Sequence, residues 1–471
     1  MSQTDERPVV IVSNRGPVSY REHHGELVGV RGAGGLISGL GPLLDSGEAS
    51  WIAAALSDAD RSAVSAGTAT PDGVAVRLLN LDPIDQALAY DVISNQTLWF
   101  IHHGLFDLTR SPSYTQDWFA AWDAYRRVNQ AFARAVCESA PSNAIVLIQD
   151  YHLTLMAPAL AAERPDLSTV HFHHTPFAGP DMLRVLPPAA RNEMLLALNA
   201  HDACGFHTSE WAQNFEHDLL RWPPQLDTKA PEIRSRVFAS SLSPDAADLH
   251  STARSAGCEE HLLAIEEQIG DCQLLVRIDR MELSKNILRG FQAFDLLLQQ
   301  RSDLRERVVF LACCYPSREN LAEYASYKDQ ILQEVDRINE RWGSSSWQPI
   351  CLKTDDNYLR SVAALQRYDV LLVNPIRDGL NLVAKEGPLL NLRHGQLVLS
   401  TEAGAWGELQ SAAFGVNPFD IEQTAQMLGM AFDLDVPDRT TRAAELAALS
   451  AERTPMDWLQ DQIAAVNSLA G

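Results

Sequence analysis

Two cationic side chains five residues apart, Arg280 and Lys285, follow the apolar run Gln273–Ile278. If that run is a buried strand, both cations lie at its carboxyl end, the edge at which parallel α/β sheets bind ligands. Two cations there could clamp a diphosphate and stabilise the charge that develops on a departing nucleotide diphosphate. A solvated surface pair has the same spacing, so this pattern alone leaves both interpretations open.

A second candidate for an anion site follows the apolar run Val370–Val373, which predicts a buried parallel strand. Asp378 and Gly379 form a loop, and a helix is expected from about Leu382. Such a turn directs free backbone N–H groups and the helix dipole at one point. Glu386, about one turn further, could accept hydrogen bonds from the vicinal hydroxyls of a sugar. The segment is therefore either a pocket for a phosphorylated sugar or nucleotide, or an ordinary helix capped by Asp378.

Arginines and glycines follow other predicted strands. Arg15 and Arg318 each come shortly after an apolar run and could bind an anion, although an isolated arginine there is more often a surface ion-pair residue. A glycine-rich stretch would let the backbone approach a phosphate closely. It does not match GxGxxG, and a flexible loop explains it equally well. Its glycines are Gly32, Gly34 and Gly35.

Polar residues also end two apolar runs in the first half of the chain. Asp150 follows Ala144–Ile148, where a carboxylate is costly to bury without partners, so it could orient a sugar hydroxyl or cap the next helix. His173 and His174 end the next run. Adjacent residues on a strand point to opposite faces, so this pair cannot easily chelate one metal, and no acidic or cysteine ligand is nearby.

The composition restricts the class of protein. The net charge of −23 over 471 residues argues against nucleic acid or an anionic membrane surface as a general partner. No stretch has the features of a signal peptide, and no apolar run approaches the ~18 residues that span a bilayer. Seven cysteines without CxxC spacing fit reduced thiols. We therefore expect a cytoplasmic protein that binds neither nucleic acid nor membrane.

Short apolar runs alternate with amphipathic helical stretches almost throughout, as in doubly wound α/β proteins. The stretch Ser240–Gly257, rich in Ser, Ala and Asp, interrupts the alternation. We place a domain boundary there and predict one Rossmann-like domain over 1–245, a second over 246–455, and a C-terminal helix, 456–471, that packs back on the first. Two such domains facing an interdomain cleft could bind a nucleotide on one side and an acceptor on the other.

Together these motifs resemble the trehalose-6-phosphate synthases, which are retaining glycosyltransferases of the GT-B fold. The likeness runs from Val9 to about Pro418, and its motifs appear in the family's order. They are Ser13-Asn14-Arg15, Ala33-Gly34-Gly35-Leu36, Tyr90 with Trp99, Asp150-Tyr151-His152-Leu153, His174-Thr175-Pro176-Phe177, Gly205-Phe206-His207-Thr208, Arg280 with Lys285, Arg318, and Asp378 through Glu386.

The resemblance implies a role for each matching residue. The implied acceptor-binding residues, for glucose 6-phosphate, are Arg15, Tyr90, Trp99, Asp150 and Arg318. The implied donor-binding residues, for a nucleotide-glucose, are Gly34, Gly35, His174, Arg280, Lys285, Asp378, Gly379, Leu380, Asn381, Leu382, Val383 and Glu386. Those implied to act in catalysis are Asp150, His174, Arg280, Lys285 and Asp378.

The resemblance also implies a chemistry. The family reacts with retention and needs no metal or other cofactor. In the favoured account, the leaving phosphate oxygen accepts the proton of the attacking hydroxyl on the same face of the sugar. Positioning and charge stabilisation would then be the protein's main contribution.

Several residues depart from the family's pattern. Thr175 stands where Ile is usual, Ala178 where Pro is frequent, and Leu380 where Met is usual. The stretch Phe100–His103 replaces a Pro-containing, Phe-His-Tyr-like sequence. Because most of these changes lie near the expected acceptor or glucose, a glycerol phosphate or cyclitol phosphate acceptor stays open. So do the donor base and a homo-oligomeric state.

Two other classes of function deserve comparison. A sugar-phosphate sensor without turnover could keep the pocket, but the presence of Arg280, Lys285 and Asp378 disfavours it. A nucleotide-sugar epimerase could share the cation clamp, but it needs no site for an acceptor phosphate. The sequence therefore favours a glucosyltransferase.

Overall fold

We describe a computed structural model of the chain, which covers residues 7–24, 26–32, 37, 39–41, 43, 47, 49–68, 70, 74–222, 232–319 and 321–467. The chain divides into two compact units. The first comprises Met1–Leu242 with Pro455–Gly471, and the second comprises Ser243–Thr454. Both divisions lie within three residues of those expected from the sequence.

The first unit is built on a seven-stranded, fully parallel sheet with the order β5-β4-β1-β6-β7-β8-β9. A separate antiparallel hairpin is formed by β2 and β3. The strands are rich in Val, Ile and Ala, and the central ones are buried along their length, as expected where both faces of a parallel sheet are covered. The strands are β1 Val9–Val12, β2 Val18–His23, β3 Glu26–Arg31, β4 Ala49–Ala54, β5 Val76–Leu79, β6 Ile145–Gln149, β7 Ser168–His173, β8 Ala203–Phe206 and β9 Arg236–Ala239.

Helices connect these strands. The helix Gln116–Ser139 buries one stripe that includes Trp118, Trp122 and Tyr125. The C-terminal helix Pro455–Asn467 places Trp458 against Phe172 of β7, with ring centroids 5.0 Å apart. The described helices of this unit are Asp58–Ala66, Pro83–Ala87, the π-helix Leu88–Leu98, Trp99–His103, Gln116–Ser139, the 3₁₀ turn Tyr151–Leu153, Ala157–Glu163, Pro180–Leu183, Pro188–Leu198, Ser209–Arg221 and Pro455–Asn467.

The second unit contains a six-stranded parallel sheet with the order β12-β11-β10-β13-β14-β15. Its strands are β10 Gln273–Met281, β11 Val308–Pro316, β12 Ile350–Lys353, β13 Val370–Val373, β14 Gln396–Ser400 and β15 Phe414–Val416. Its helices are Ala246–Ala253, Ala256–Ile269, the 3₁₀ turn Leu283–Lys285, Ile287–Gln300, the 3₁₀ turn Ser302–Leu304, Ala322–Trp342, Tyr358–Arg367, Val383–Leu390, Trp406–Leu409, Ile421–Asp433 and Val436–Ser450.

Each unit is thus a Rossmann-like α/β domain, as predicted. In each sheet, successive strands are added on one side of a central strand and then on the other, with the change between β1 and β6 and between β10 and β13. The loops that follow these two neighbouring strands therefore leave the carboxyl edge in different directions. Ligands of open α/β sheets bind at such switch points. In the second unit the neighbours are β10 and β13, whose following loops carry Lys285 and Asp378. No helix among the described residues is long and apolar enough to cross a membrane.

Candidate active site

In the first unit, Asp150 has an unusual backbone conformation. It follows β6 with φ 70° and ψ 170°, a region that is almost restricted to glycine. Its N–H donates to Phe172 O at 2.7 Å, and its carboxylate accepts the His174 N–H at 3.2 Å. The carboxylate does not cap the turn that follows, and the next helix, Ala157–Glu163, has Met156 as its N-cap, so the helix-cap alternative for Asp150 was wrong. A strained carboxylate beside a strand end is typical of a functional position.

The ring of His174 is held on both sides. Its Nε2 lies 2.9 Å from Gln149 Oε1, and its Nδ1 lies 3.1 Å from His207 Nε2. With the Gln149 carbonyl as acceptor, Nε2 carries the proton and Nδ1 accepts one from His207. Burial lowers the pKa of His174 to about 3. The side chain is therefore a neutral, oriented imidazole at neutral pH.

The predicted acceptor residues Tyr90 and Trp99 lie on two consecutive helices. Tyr90 belongs to the π-helix Leu88–Leu98, a rare geometry that often marks functional sites, and its ring stacks on His152 at 5.7 Å. Trp99 stacks on His103 with ring centroids 3.9 Å apart. The Nδ1 of His103 donates to Trp99 O at 2.8 Å, which fixes both rings.

Arg15 is exposed in the loop after β1. That loop is fixed by Ser13, whose hydroxyl donates to Arg15 O at 2.7 Å and accepts Trp51 Nε1–H at 2.7 Å. The predicted donor residues Gly34 and Gly35 lie outside the described residues.

Ala178 and Thr175, two residues that depart from the family pattern, each make a polar contact with a buried histidine. The Ala178 N–H donates to His102 Nδ1 at 3.1 Å, a bond that a proline at position 178 could not make. The Thr175 hydroxyl lies 2.8 Å from His173 Nε2, and the His102 and His173 rings meet edge to face at 4.8 Å. The loop that begins at His174 is thus fastened by its own set of polar contacts.

In the second unit, Lys285 and Asp378 form a close ion pair. Lys285 Nζ lies 2.5 Å from Asp378 Oδ2, which also accepts from Asn381 Nδ2 at 3.1 Å. Nearby acidic groups, Asp378 foremost, raise the pKa of Lys285 against the opposing effect of burial. Because β10 and β13 are neighbours in the sheet, two motifs 93 residues apart in sequence meet at one point.

A buried pair supports the turn that carries Lys285. Arg277 is fully buried on β10, and its Nε lies 2.9 Å from Asp279 Oδ2. Its Nη2 donates to Lys285 O at 2.8 Å and to Asn374 Oδ1 at 3.0 Å. Arg277 therefore holds the turn that carries Lys285 and does not serve to bind a ligand.

Arg280 and Arg318 converge on one carboxylate. Arg280 Nη1 lies 3.0 Å from Glu282 Oε1, and Arg318 Nη1 lies 3.8 Å from the same oxygen. Arg318 also donates to Tyr324 OH at 2.7 Å. The structure therefore places Arg318 in the second unit beside Arg280, whereas the other predicted acceptor residues, Arg15, Tyr90, Trp99 and Asp150, belong to the first unit.

The loop from Asp378 to Asn381 is held by the segment after β14. Asp378 pairs with Ala403, and Gly404 N donates to Asp378 O at 3.1 Å. A Cβ at Gly404 would collide with the Gly379 carbonyl, so only glycine permits this approach. Leu380, the unusual residue of this loop, is buried and accepts a backbone hydrogen bond from Ala405 at 2.8 Å.

The helix Val383–Leu390 begins without a side-chain cap, and Leu382 is its N-cap residue. The alternative that Asp378 caps this helix was therefore wrong, because its carboxylate binds Lys285 and Asn381 instead. The first N–H groups of any helix have no partner within it, which suits main-chain binding at Leu382 and Val383. Burial raises the pKa of Glu386, one turn inside, to about 7.

Sequence reasoning did not assign roles to several residues that shape these sites. Gln149 and His207 orient His174, and Glu282 and Tyr324 orient the arginines. Glu282 stands between the two clamp cations in the sequence, a signal that could have been used. Gly404 gave no such signal, because its role depends on how distant segments meet.

Comparison with known proteins gives a consistent result. The sequence model of Glycosyltransferase family 20 matches residues 7–468. The trehalose-6-phosphate synthase of Mycolicibacterium smegmatis is 33% identical over 436 residues, covering 88% of this chain and 83% of that protein. A bifunctional trehalose-6-phosphate synthase/phosphatase of Thermoproteus tenax is 32% identical over 382 residues. The latter match covers 79% of this chain but only about half (51%) of the relative.

A solved structure is also similar over nearly the whole chain. It is that of a UDP-forming α,α-trehalose-phosphate synthase from Burkholderia xenovorans in complex with glucose 6-phosphate. The TM-score is 0.82 with 26% sequence identity, and the match covers 98% of this chain and 100% of the other.

Proposed function

Because the chain belongs to glycosyltransferase family 20, we propose that it transfers glucose from a nucleotide-glucose to glucose 6-phosphate with retention, forming α,α-trehalose 6-phosphate. The chain is a glycosyltransferase and resembles trehalose-6-phosphate synthases. The donor, the acceptor and the stereochemical course are our proposal. The observation that carries it is the Lys285–Asp378 ion pair where the loops after β10 and β13 meet, with Arg280 at the carboxyl end of β10.

The donor half of the proposal follows from the charges of the second unit. Arg280 and Lys285 bind the diphosphate and stabilise the negative charge that grows as the bond to the sugar breaks. Asp378, already oriented by Lys285 and Asn381, accepts hydrogen bonds from the glucose. Leu382 and Val383 bind the diphosphate through main-chain groups, and Glu386 accepts from the ribose hydroxyls. The solved structure from Burkholderia xenovorans is that of a UDP-forming synthase, which supports a nucleotide donor.

The acceptor half follows from cationic and aromatic residues. Arg15, Tyr90, Trp99 and Arg318 bind the phosphate of glucose 6-phosphate, and Asp150 binds its sugar hydroxyls. The structure from Burkholderia xenovorans supports this acceptor, since it is a complex with glucose 6-phosphate. His174, as a neutral imidazole, binds the transferred glucose.

The reaction needs no enzyme nucleophile. The bond between the glucose carbon and the diphosphate breaks, the acceptor oxygen attacks from the same face, and its proton passes to the departing phosphate oxygen. Each side chain named above therefore acts by position and charge. No metal or other cofactor is included in this proposal.

The proposal is tested with purified protein and a grid of nucleotide-glucose donors against phosphorylated acceptors. We expect nucleoside diphosphate release only when a donor and glucose 6-phosphate are both present. Lys285→Met should lower turnover by about 10²–10³-fold, since it removes one group that stabilises the leaving charge. Lys353→Met, the same change at the end of β12 in the same sheet, should leave turnover near normal.

Two results would redirect the proposal. Turnover with glycerol 3-phosphate or a cyclitol phosphate, but not with glucose 6-phosphate, would move the acceptor to the second candidate class. That class is favoured by the altered contacts of Thr175 and Ala178. No release with any pair of substrates would reject a transferase of this kind.

A further inference from the structure

Glu282 lies between the loop after β10 and the loop after β11, close to Arg280 at the end of β10 and to Arg318 on the second loop. Its side chain is fully buried, whereas the side chain of Arg280 is 43% exposed and that of Arg318 is 11% exposed. A single oxygen, Oε1, lies 3.0 Å from Arg280, 3.8 Å from Arg318 and 3.1 Å from the hydroxyl of Ser317, which donates to it. One carboxylate thus contacts both loops.

The sheet explains why these loops meet. Strands β10 and β11 are parallel neighbours, with Arg280 opposite Tyr315 and Met281 opposite Pro316. Their following loops therefore leave the sheet side by side. Glu282 lies on the first loop, and its carboxylate crosses to the second.

The backbone of Glu282 holds the first loop as well. Its carbonyl accepts the Lys285 N–H at 3.0 Å, and its own N–H donates to Arg280 O at 2.7 Å. On the second loop, Arg318 has φ 50°, which is uncommon for a residue with a side chain, and the Tyr324 hydroxyl supports its guanidinium. Both arginines are thus held at defined places around one carboxylate.

A buried carboxylate requires compensation by positive charge. A guanidinium has five N–H donors, so the contact with Glu282 occupies only part of its hydrogen-bonding capacity. The carboxylate therefore orients each guanidinium without using all of its donors. The net charge of Arg280, Arg318 and Glu282 together is positive, which suits an anionic ligand beside each arginine.

We propose that Glu282 is a positioning residue shared by the two substrate sites, orienting Arg280 towards the donor diphosphate and Arg318 towards the phosphate of the acceptor. This inference rests on the proposed function, in which those arginines bind different substrates. Glu282 itself touches neither substrate. Its distinguishing property is that one buried residue controls the affinity for both.

The test uses Glu282→Gln, which keeps the shape and removes the charge. We expect the half-saturating concentrations of donor and of glucose 6-phosphate each to rise by about tenfold, because each arginine loses a charged partner that orients it. The rate at saturation should fall much less. Glu319→Gln is the matched control: Glu319 pairs with Lys328 on the surface, so both concentrations should stay unchanged.

Glu282→Asp tests the same idea with the charge kept and the side chain shortened. The shorter carboxylate cannot reach both guanidiniums, and the longer contact, to Arg318, is lost first. The half-saturating concentration of glucose 6-phosphate should therefore rise more than that of the donor. This variant decides the question if Glu282→Gln does not fold.

Provided that the wild-type protein is active, three outcomes would overturn the inference. In Glu282→Gln, these are a change in the half-saturating concentration of one substrate only, or a lower saturated rate and thermal midpoint with both half-saturating concentrations unchanged. The third is a Glu282→Asp variant in which the half-saturating concentration of neither substrate changes. The second outcome would show that Glu282 only supports the fold. Failure of the proposed function is read separately, on the wild-type protein, as no release of nucleoside diphosphate with any substrate pair.

Discussion

The ionisation of Glu386 gives a pH dependence that the proposed donor site must show. Glu386 lies in the first turn of the helix Val383–Leu390, where burial raises its pKa to about 7. Only the ionised carboxylate accepts hydrogen bonds from both hydroxyls of a ribose. Tyr358, whose pKa burial raises to about 12 with a contribution from Glu386, stays neutral throughout this range. Donor affinity should therefore increase as the pH rises through about 7.

The expected magnitude follows from the ionised fraction. With a pKa of about 7, roughly one tenth of the protein carries ionised Glu386 at pH 6 and roughly nine tenths at pH 8. If only the ionised form binds the donor well, the apparent dissociation constant at pH 6 is about ten times that at pH 8. A charge-assisted hydrogen bond is strong enough to produce such discrimination.

The assay is calorimetric titration of the protein with nucleotide-glucose alone, at pH values from 6 to 8. Both phosphates of this donor are esterified, so it has no proton that titrates in this range. Glucose 6-phosphate is left out because the second pKa of a phosphate monoester is near 6. Glu386→Gln should abolish the pH dependence. Glu422→Gln, the same change in the first turn of the helix Ile421–Asp433, should preserve it.

A donor affinity that is constant between pH 6 and 8, or that increases as the pH falls, would refute this reasoning. The stability of the protein offers a second check on the sign. The folded protein holds the Glu386 proton more tightly than an unfolded chain, where the pKa is near 4.5. This contribution to stability is full below about pH 4.5 and is lost as the pH rises through about 7. Glu386→Gln should therefore be more stable than wild type at pH 8.

Two further predictions concern the first unit. At position 150, where φ is 70° and ψ is 170°, the Gly variant should be more stable than the Ala variant by about 1–2 kcal/mol in urea unfolding. Both variants lack the carboxylate and should be nearly inactive. An Ala variant as stable as the Gly variant would show that the backbone is not strained. Ala178→Pro should lower the free energy of unfolding by about 1–3 kcal/mol, because it leaves His102 Nδ1 buried without a donor. Adding His102→Phe should recover part of that loss. An equal loss of stability in the single and double variants would exclude the pairing of Ala178 with His102.

The sequence predicted the parallel strands well because each is a short apolar run buried on both faces. Strand β13 was predicted with its exact bounds, and the bounds of β6 and β10 were predicted to within three residues. The hairpin of β2 and β3 was not predicted, since its residues alternate with many charged and partly exposed ones. Strand β9 was missed because it lies at the edge of its sheet and is only partly buried.

In the candidate sites, too, some residues could be predicted from local sequence motifs and others could not. Local motifs predicted Lys285 and Asp378, and the strand order then brings them within 2.5 Å, which no spacing in the sequence could give. Glu282 was overlooked because its role depends on the register between β10 and β11. The strain at Asp150 was equally hidden, since its φ of 70° and ψ of 170° lie in a region almost restricted to glycine, which no sequence pattern assigns to an aspartate.

The central claim is retaining glucosyl transfer, and the product of one reaction tests it most directly. The protein is incubated with a nucleotide-glucose labelled with ¹³C at the transferred carbon, together with glucose 6-phosphate, and the label is followed by NMR. The account predicts α,α-trehalose 6-phosphate, with the α configuration of the donor kept at the labelled carbon. A β-linked product, or free glucose as the main labelled species, would contradict it.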